Sequence, residues 1–195
     1  MREIESSAGR LYWQTWARMP CRFDASWRDT VPEHWHIAGP RTSYVDRKRA
    51  RKAAAPIHAI LNYAYAVLEV EASIAAHAVG FDPSLGIMHA DKRYRGSLAA
   101  DLMEPARPAA DSLVVNLLES AELRRGDVVE TREGVVRIGA PLAHRIGGWA
   151  PQLRMAVAPH AEALAREILR APNHPTPLTG NRHARSNGRQ PKVSL

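Results

Sequence analysis

Among the acids and histidines of the chain, three spots stand out as candidates to hold a cation and so activate an oxygen nucleophile: Glu5, His89, and the pair Asp101 and Glu104. Asp101 and Glu104 stand three apart in the run AADLMEPARP, so a helix through them would bring both carboxylates to one face. Carboxylate oxygens suit Mg²⁺ or Mn²⁺, and one imidazole among them tilts the choice toward Mn²⁺. Each residue also has a plainer role. A Glu near a chain end is most often solvated. A single His after Gly86-Ile87-Met88 is most often a hydrogen-bonded structural group. Asp101 and Glu104 can decorate a solvent face or pair with Arg107.

The elements around these residues are helical. Residues 4–18 place Ile4, Ala8, Leu11, Tyr12 and Trp16 at helical spacing, which predicts a short amphipathic helix carrying Glu5. Residues 19–45 hold Pro20, Pro32, Gly39 and Pro40 among aromatics and read as an irregular connector. Residues 56–79 predict a central helix, with Pro56 at its start and Ile57, Ile60, Leu61, Ala64, Val67, Leu68 and Ile74 on one apolar face. Gly80 stops it. A turn through Pro83 leads to Ile87-Met88-His89, and Ser97 is placed to cap the next helix. Pro105 and Pro108 divide that helix, which resumes through Leu113–Leu118. Residues 127–138 predict a hairpin turning near Glu133-Gly134, and residues 151–170 a last amphipathic helix. The fold class is therefore mainly α with one small β-hairpin: a helical unit over residues 1–170 and a basic tail, 171–195, too rich in Pro, Asn, Gly and Arg to pack a core. Trp13, Trp16, Trp27 and Trp35 are expected to be core anchors rather than base-stacking platforms.

At 195 residues and 45% hydrophobic, the chain can bury a core without staples, and a single cysteine, Cys21, excludes a disulfide framework and any multi-cysteine zinc site. That cysteine usage fits a reducing cytoplasm. No uninterrupted apolar run reaches the length of a membrane span, and MREIESS lacks a signal peptide's apolar stretch. The net charge of +7 is unevenly placed. Arg41, Arg47, Lys48, Arg49, Arg51 and Lys52 face one acid, Asp46, within twelve residues; the tail adds Arg182, Arg185, Arg189 and Lys192 with no acid at all. Two local stretches make the protein basic, and a polyanionic partner follows as an expectation.

Three pieces, AILNYAYAVL, GFDPSLGIMH and SLAADLMEPARPAAD, occur in this order within residues 56–111, and IESSAGRLYW lies upstream with Glu5 seven residues before Tyr12. Together they resemble the CRISPR-associated integrase of the spacer-acquisition complex, over roughly residues 3–140. The resemblance implies a metal-dependent DNA endonuclease and integrase that joins a DNA 3′-hydroxyl to a phosphodiester of the repeat array. It implies Glu5, His89 and Glu104 as catalytic ligands of Mn²⁺ or Mg²⁺, with Asp101 an additional acid near the site. Asn62 and Tyr63 match the family pattern, whereas His58 stands where the family commonly has Asn.

The same resemblance implies DNA as substrate, a homodimer mate and a smaller CRISPR adaptation protein as partners, and no membrane. Arg41, Arg47, Lys48, Arg49, Arg51 and Lys52, with Lys92, Arg93 and Arg95 just after His89, are the expected DNA-binding residues. Family members usually carry an N-terminal β-rich domain before the Glu; with Glu at position 5, the expectation is a catalytic lobe lacking that domain. The alternative is an inactive remnant that binds DNA or an adaptation partner.

Overall fold

The computed structural model describes residues 2–39, 41, 53–87 and 96–171, with the backbone alone for residues 2–6 and 8. His89, Lys92, Arg93 and Arg95, the segment from Arg47 to Lys52, and the tail beyond 171 lie outside the described residues. Among the described residues, six α-helices and one hairpin follow in the order α1 (Arg2–Ala17), α2 (Pro56–Ala78), α3 (Ser97–Met103), α4 (Arg107–Ser120), β1 (Val128–Glu130), β2 (Val136–Ile138), α5 (Ala140–Gly147) and α6 (Ala150–Arg170).

The central helix α2 organises the rest. Ile57, Ile60, Leu61, Ala64 and Leu68 are buried as the apolar periodicity requires, and Val67 packs at the margin. Ile74 departs from the expected face and is 46% exposed. It is rotated about 100° from the line through Ile57 and Ala75, at 3.6 residues per turn. Ala72, Ala75 and Ala76 are buried along this part of the helix instead, and these small side chains let neighbouring helices come close. By length and mean hydropathy α2 could cross a membrane, yet half of it is buried inside the protein, against α3, α4, α5, α6 and β2. Gly80 ends it with φ +85°, a conformation glycine adopts without a Cβ penalty.

Two buried clusters share this helix. The first gathers Trp16, Cys21, Phe23 and Trp35 with the N-terminal half of α2, the end of α4, the hairpin and α5. The second joins the C-terminal half of α2 to α3 and α6 through Leu68, Leu98, Leu102, Leu153 and Val157. Arg154 fastens α6 to α2 by a two-pronged contact with the buried Glu71 carboxylate, at 2.7 and 3.2 Å. That geometry matches the fork of guanidinium to the two carboxylate oxygens.

The connector after α1 is irregular as expected, with single 3-10 turns at Arg28–Thr30 and Glu33–Trp35. The tryptophans divide. Trp16 and Trp35 are buried and Trp27 packs beside them, whereas Trp13 lies at the surface under the Arg41 guanidinium, 4.8 Å from the ring centre. Ser97 does not cap α3: it is the first helical residue, and the Pro83 carbonyl accepts from the Leu98 and Ala99 amides at 2.9 and 3.3 Å. The turn that follows Gly80 thus does the capping that Ser97 was expected to do. Pro105 and Pro108 shape the α3–α4 junction into a 3-10 turn, Glu104–Ala106. The hairpin is antiparallel with Val129 opposite Arg137, and Gly134 takes φ +67° in the turn. Helix α5 was not anticipated. Its eight residues end at Gly147-Gly148 and its Pro141 reads as a breaker, although proline fits the first turn of a helix, where its missing N–H has no partner to lose.

Candidate metal and DNA site

Glu104 opens the 3-10 turn between α3 and α4, where its side chain is partly exposed. There it borders a cavity of about 430 Å³ whose walls include Asn62, Tyr65, Glu69, Met103 and Arg107. Arg107 begins α4 and places a terminal guanidinium nitrogen 3.0 Å from Glu104 Oε1, with the two side chains 42% and 39% exposed. The same guanidinium lies 5.2 Å from the centre of the Tyr65 ring. Its Nε is buried without a hydrogen-bond partner among the described residues. Of the two partners expected for Arg107, Glu104 is the one it meets.

Asp101 serves a different contact. It is 8% exposed, and its Oδ2 accepts the Ile87 backbone N–H at 2.7 Å. Ile87 is two residues before His89, so this carboxylate ties the end of α3 to the segment that leads into the histidine. The two acids are three apart in sequence but engage different partners, because Asp101 lies within α3 and Glu104 begins the tighter turn after it.

Helix α1 brings Glu5 into the fold, and its placement is fixed further along. Tyr12 sits about two turns beyond Glu5, on nearly the same helical face. The Tyr12 hydroxyl lies 3.1 Å from both oxygens of Asp111 on α4, and the Tyr65 hydroxyl donates to Asp111 Oδ1 at 2.5 Å. The two hydroxyls are themselves 2.5 Å apart. Burial, and then contact with Asp111, push the Tyr65 phenol far above its ordinary range; burial likewise raises Tyr12. Both phenols stay protonated and available to the carboxylate. One acid therefore holds α1, α2 and α4 together. Tyr65 and Asp111 escaped the sequence reading; the one available signal was a pair of phenols in an otherwise apolar helix segment, AILNYAYAVL.

Arg41 lies where the connector returns to the helices. Its Nη2 donates to Asn62 Oδ1 at 2.7 Å while its face covers Trp13, so it bridges α1 and α2. Tyr63, the neighbour of Asn62, is partly exposed and lines a groove beside the hairpin. His58 is 1% exposed, and its Nδ1 has no partner among the described residues. Burial, and next the positive charge of Arg41, push its pKa down to about 4, against the pull of a hydrogen bond with the Gly39 backbone. Among the described residues no three His, Cys, Asp or Glu side chains cluster as metal ligands. A larger cavity, of about 660 Å³, is lined by Arg22, Arg124 and Arg145 and shares no residue with the Glu104 cavity.

The sequence profile of the CRISPR associated protein Cas1 family matches residues 1–140, which include Glu5, Tyr12, Tyr65, Asp101, Glu104 and Asp111. The chain belongs to the Cas1 family. The Cas4/Cas1 exonuclease–endonuclease fusion of Geobacter sulfurreducens is 37% identical over 132 residues, covering 67% of this chain and 21% of the fusion. A CRISPR-associated endonuclease Cas1 of Pyrobaculum aerophilum is 44% identical over 97 residues, 50% of this chain and 32% of that protein. The chain thus spans well under half the length of these Cas1 relatives. Among solved structures, a casposase bound to integration product is similar with a TM-score of 0.55 and 26% identity, over 70% of this chain and 45% of the casposase. A chain of a partial Cas6-RT-Cas1–Cas2 complex shares the fold, with a TM-score of 0.61 at 20% identity over 86% of this chain and 49% of that one.

Proposed function

We propose that this chain is the helical catalytic lobe of a Cas1 integrase, a metal-dependent DNA endonuclease that inserts spacer DNA into a CRISPR repeat array. The observation that carries the proposal is Glu104: in a chain of the Cas1 family, a half-exposed carboxylate borders an open cavity and is already met by a fixed cation, Arg107. A site that draws a guanidinium to a hard oxygen ligand has the charge and donor chemistry to take Mg²⁺ or Mn²⁺. Glu5, His89 and Glu104 would hold the ion, with Asp101 as the adjoining acid. When bound, such an ion offsets the negative charge that gathers on a phosphate under attack and favours the ionised form of a hydroxyl.

The chain's own residues do the rest. A DNA 3′-hydroxyl gives up its proton to water and its oxygen forms a bond to phosphorus, the bond from phosphorus to the neighbouring 3′-oxygen breaks, and that oxygen leaves and takes up a proton from water, so one phosphodiester replaces another; the reverse reaction releases the spacer. The Asp101 carboxylate anchors the Ile87 amide and with it the approach to His89. The Asp111 clamp on Tyr12 sets how α1, and so Glu5, lies against α2 and α4. Arg41, Arg47, Lys48, Arg49, Arg51 and Lys52, together with Lys92, Arg93 and Arg95, neutralise DNA phosphates, which makes binding fall steeply with salt. Likeness to a casposase bound to integration product supports a DNA-joining reaction. A second copy of the chain and a smaller CRISPR adaptation protein complete the assembly.

Incubation with Mn²⁺, the adaptation partner, a supercoiled plasmid carrying repeats, and an oligonucleotide ending in either a 3′-hydroxyl or a 3′-deoxy sugar tests the proposal. Joining that requires the hydroxyl is the expected result. Tight, salt-sensitive DNA binding with no joined product would establish the chain as a DNA-binding remnant instead.

A further inference from the structure

The pair at the cavity mouth has a feature that a plain salt bridge does not explain. Arg107 meets Glu104 through one terminal nitrogen, 3.0 Å away, while its Nε–H is buried and unmet among the described residues. A buried donor without an acceptor is costly, and native proteins seldom leave one without a reason. The guanidinium is kept at the cavity by the Tyr65 face, 5.2 Å away, and Tyr65 is in turn held by Asp111. Arg107 is thus positioned independently of Glu104, and it would remain at the cavity if Glu104 were taken by another cation.

We propose that Arg107 is a stand-in cation: it neutralises Glu104 before a divalent ion arrives, yields the carboxylate to that ion, and then offers its freed terminal N–H groups to a DNA phosphate oxygen. This rests on the metal site proposed above. A divalent ion carries twice the charge and binds carboxylate oxygen directly, so it outcompetes a half-exposed guanidinium whose contact is weak. A phosphate oxygen is the acceptor a released guanidinium suits best, since its forked donors match phosphate geometry. The ion would also leave the local charge more positive, which draws the phosphate in.

The test measures Mn²⁺ affinity without DNA, by electron paramagnetic resonance of free Mn²⁺, for the unaltered chain, Arg107→Gln, Arg107→Lys and Glu104→Gln. Loss of the competing cation should tighten binding in Arg107→Gln by about 2- to 5-fold, the value of a half-exposed ion pair. Arg107→Lys keeps the competition and should stay within about twofold of the unaltered chain. Equal or weaker Mn²⁺ binding by Arg107→Gln, in a protein with unchanged circular dichroism, overturns the proposal, because a residue that merely orders Glu104 would weaken binding when removed. If neither the unaltered chain nor Arg107→Gln binds Mn²⁺, the metal site itself falls, and this proposal with it. The phosphate step has its own readout. With Mn²⁺ present, Arg107→Gln should lower the slope of log affinity for branched DNA against log salt by about one, and leave it unchanged without metal. An unchanged slope with Mn²⁺ removes the phosphate from the scheme.

Discussion

Acidification should destabilise this protein through His58. Its imidazole is buried, with its pKa down at about 4 against an ordinary 6.5. In the unfolded chain the same group takes a proton near 6.5, so between pH 6.5 and 4 the unfolded state binds more protons than the folded one. Stability therefore rises with pH across that window; it is whole above 6.5 and lost as the pH falls toward 4. The full shift corresponds to about 3 kcal/mol, of which about 2 kcal/mol is lost by pH 5. For a chain of this size, that loss lowers the melting temperature by about 4–8 °C. Urea unfolding at pH 7.5 and pH 5, followed by circular dichroism, measures it in the unaltered chain and in His58→Asn, which removes the titration but keeps a small polar group. The difference between the two proteins should shift by about 2 kcal/mol in favour of the variant as the pH falls. Parallel pH dependences would refute the reasoning, since they would mean that burial and Arg41 do not keep His58 neutral.

Three further outcomes follow from the packing. Gly139→Ala should be severely destabilising, because a Cβ there would collide with the Gly126 carbonyl oxygen; failure to recover folded protein, or a stability loss beyond about 3 kcal/mol, checks it. Asp111→Ala removes the acceptor shared by the Tyr12 and Tyr65 phenols and should cost about 1–3 kcal/mol in urea unfolding, whereas Asp111→Asn should cost less. Cys21, buried with its thiol pushed up to about 12, should resist Ellman's reagent at pH 8 until the protein is unfolded.

The helices were legible because apolar spacing reports a buried face directly. Ile57, Ile60, Leu61, Ala64 and Leu68 were enough to mark α2, and the prolines at 105 and 108 marked the break after Glu104. What stayed hidden depended on partners distant in sequence. Ser97 has the chemistry of a cap, but the Pro83 carbonyl, brought back by the turn, reaches the α3 amides first. Asp101 and Glu104 looked alike as neighbouring acids; only the change from α-helix to 3-10 turn separates an anchor for Ile87 from a carboxylate open to the cavity. The Tyr12–Tyr65–Asp111 contact spans 99 residues from Tyr12 to Asp111, and no local pattern announces it. His58 sits on the apolar face of α2, yet its lowered pKa comes from burial and from Arg41, seventeen residues earlier.

The central claim is that Glu5, His89 and Glu104 support metal-dependent DNA cleavage. Cleavage of branched DNA by the whole chain, with Mn²⁺, with Mg²⁺ and with chelator, tests it most directly when run beside His89→Ala and Glu104→Gln. Cleavage by the unaltered chain is expected to need the metal and to disappear in both variants. Equal cleavage by the unaltered chain and His89→Ala would contradict it.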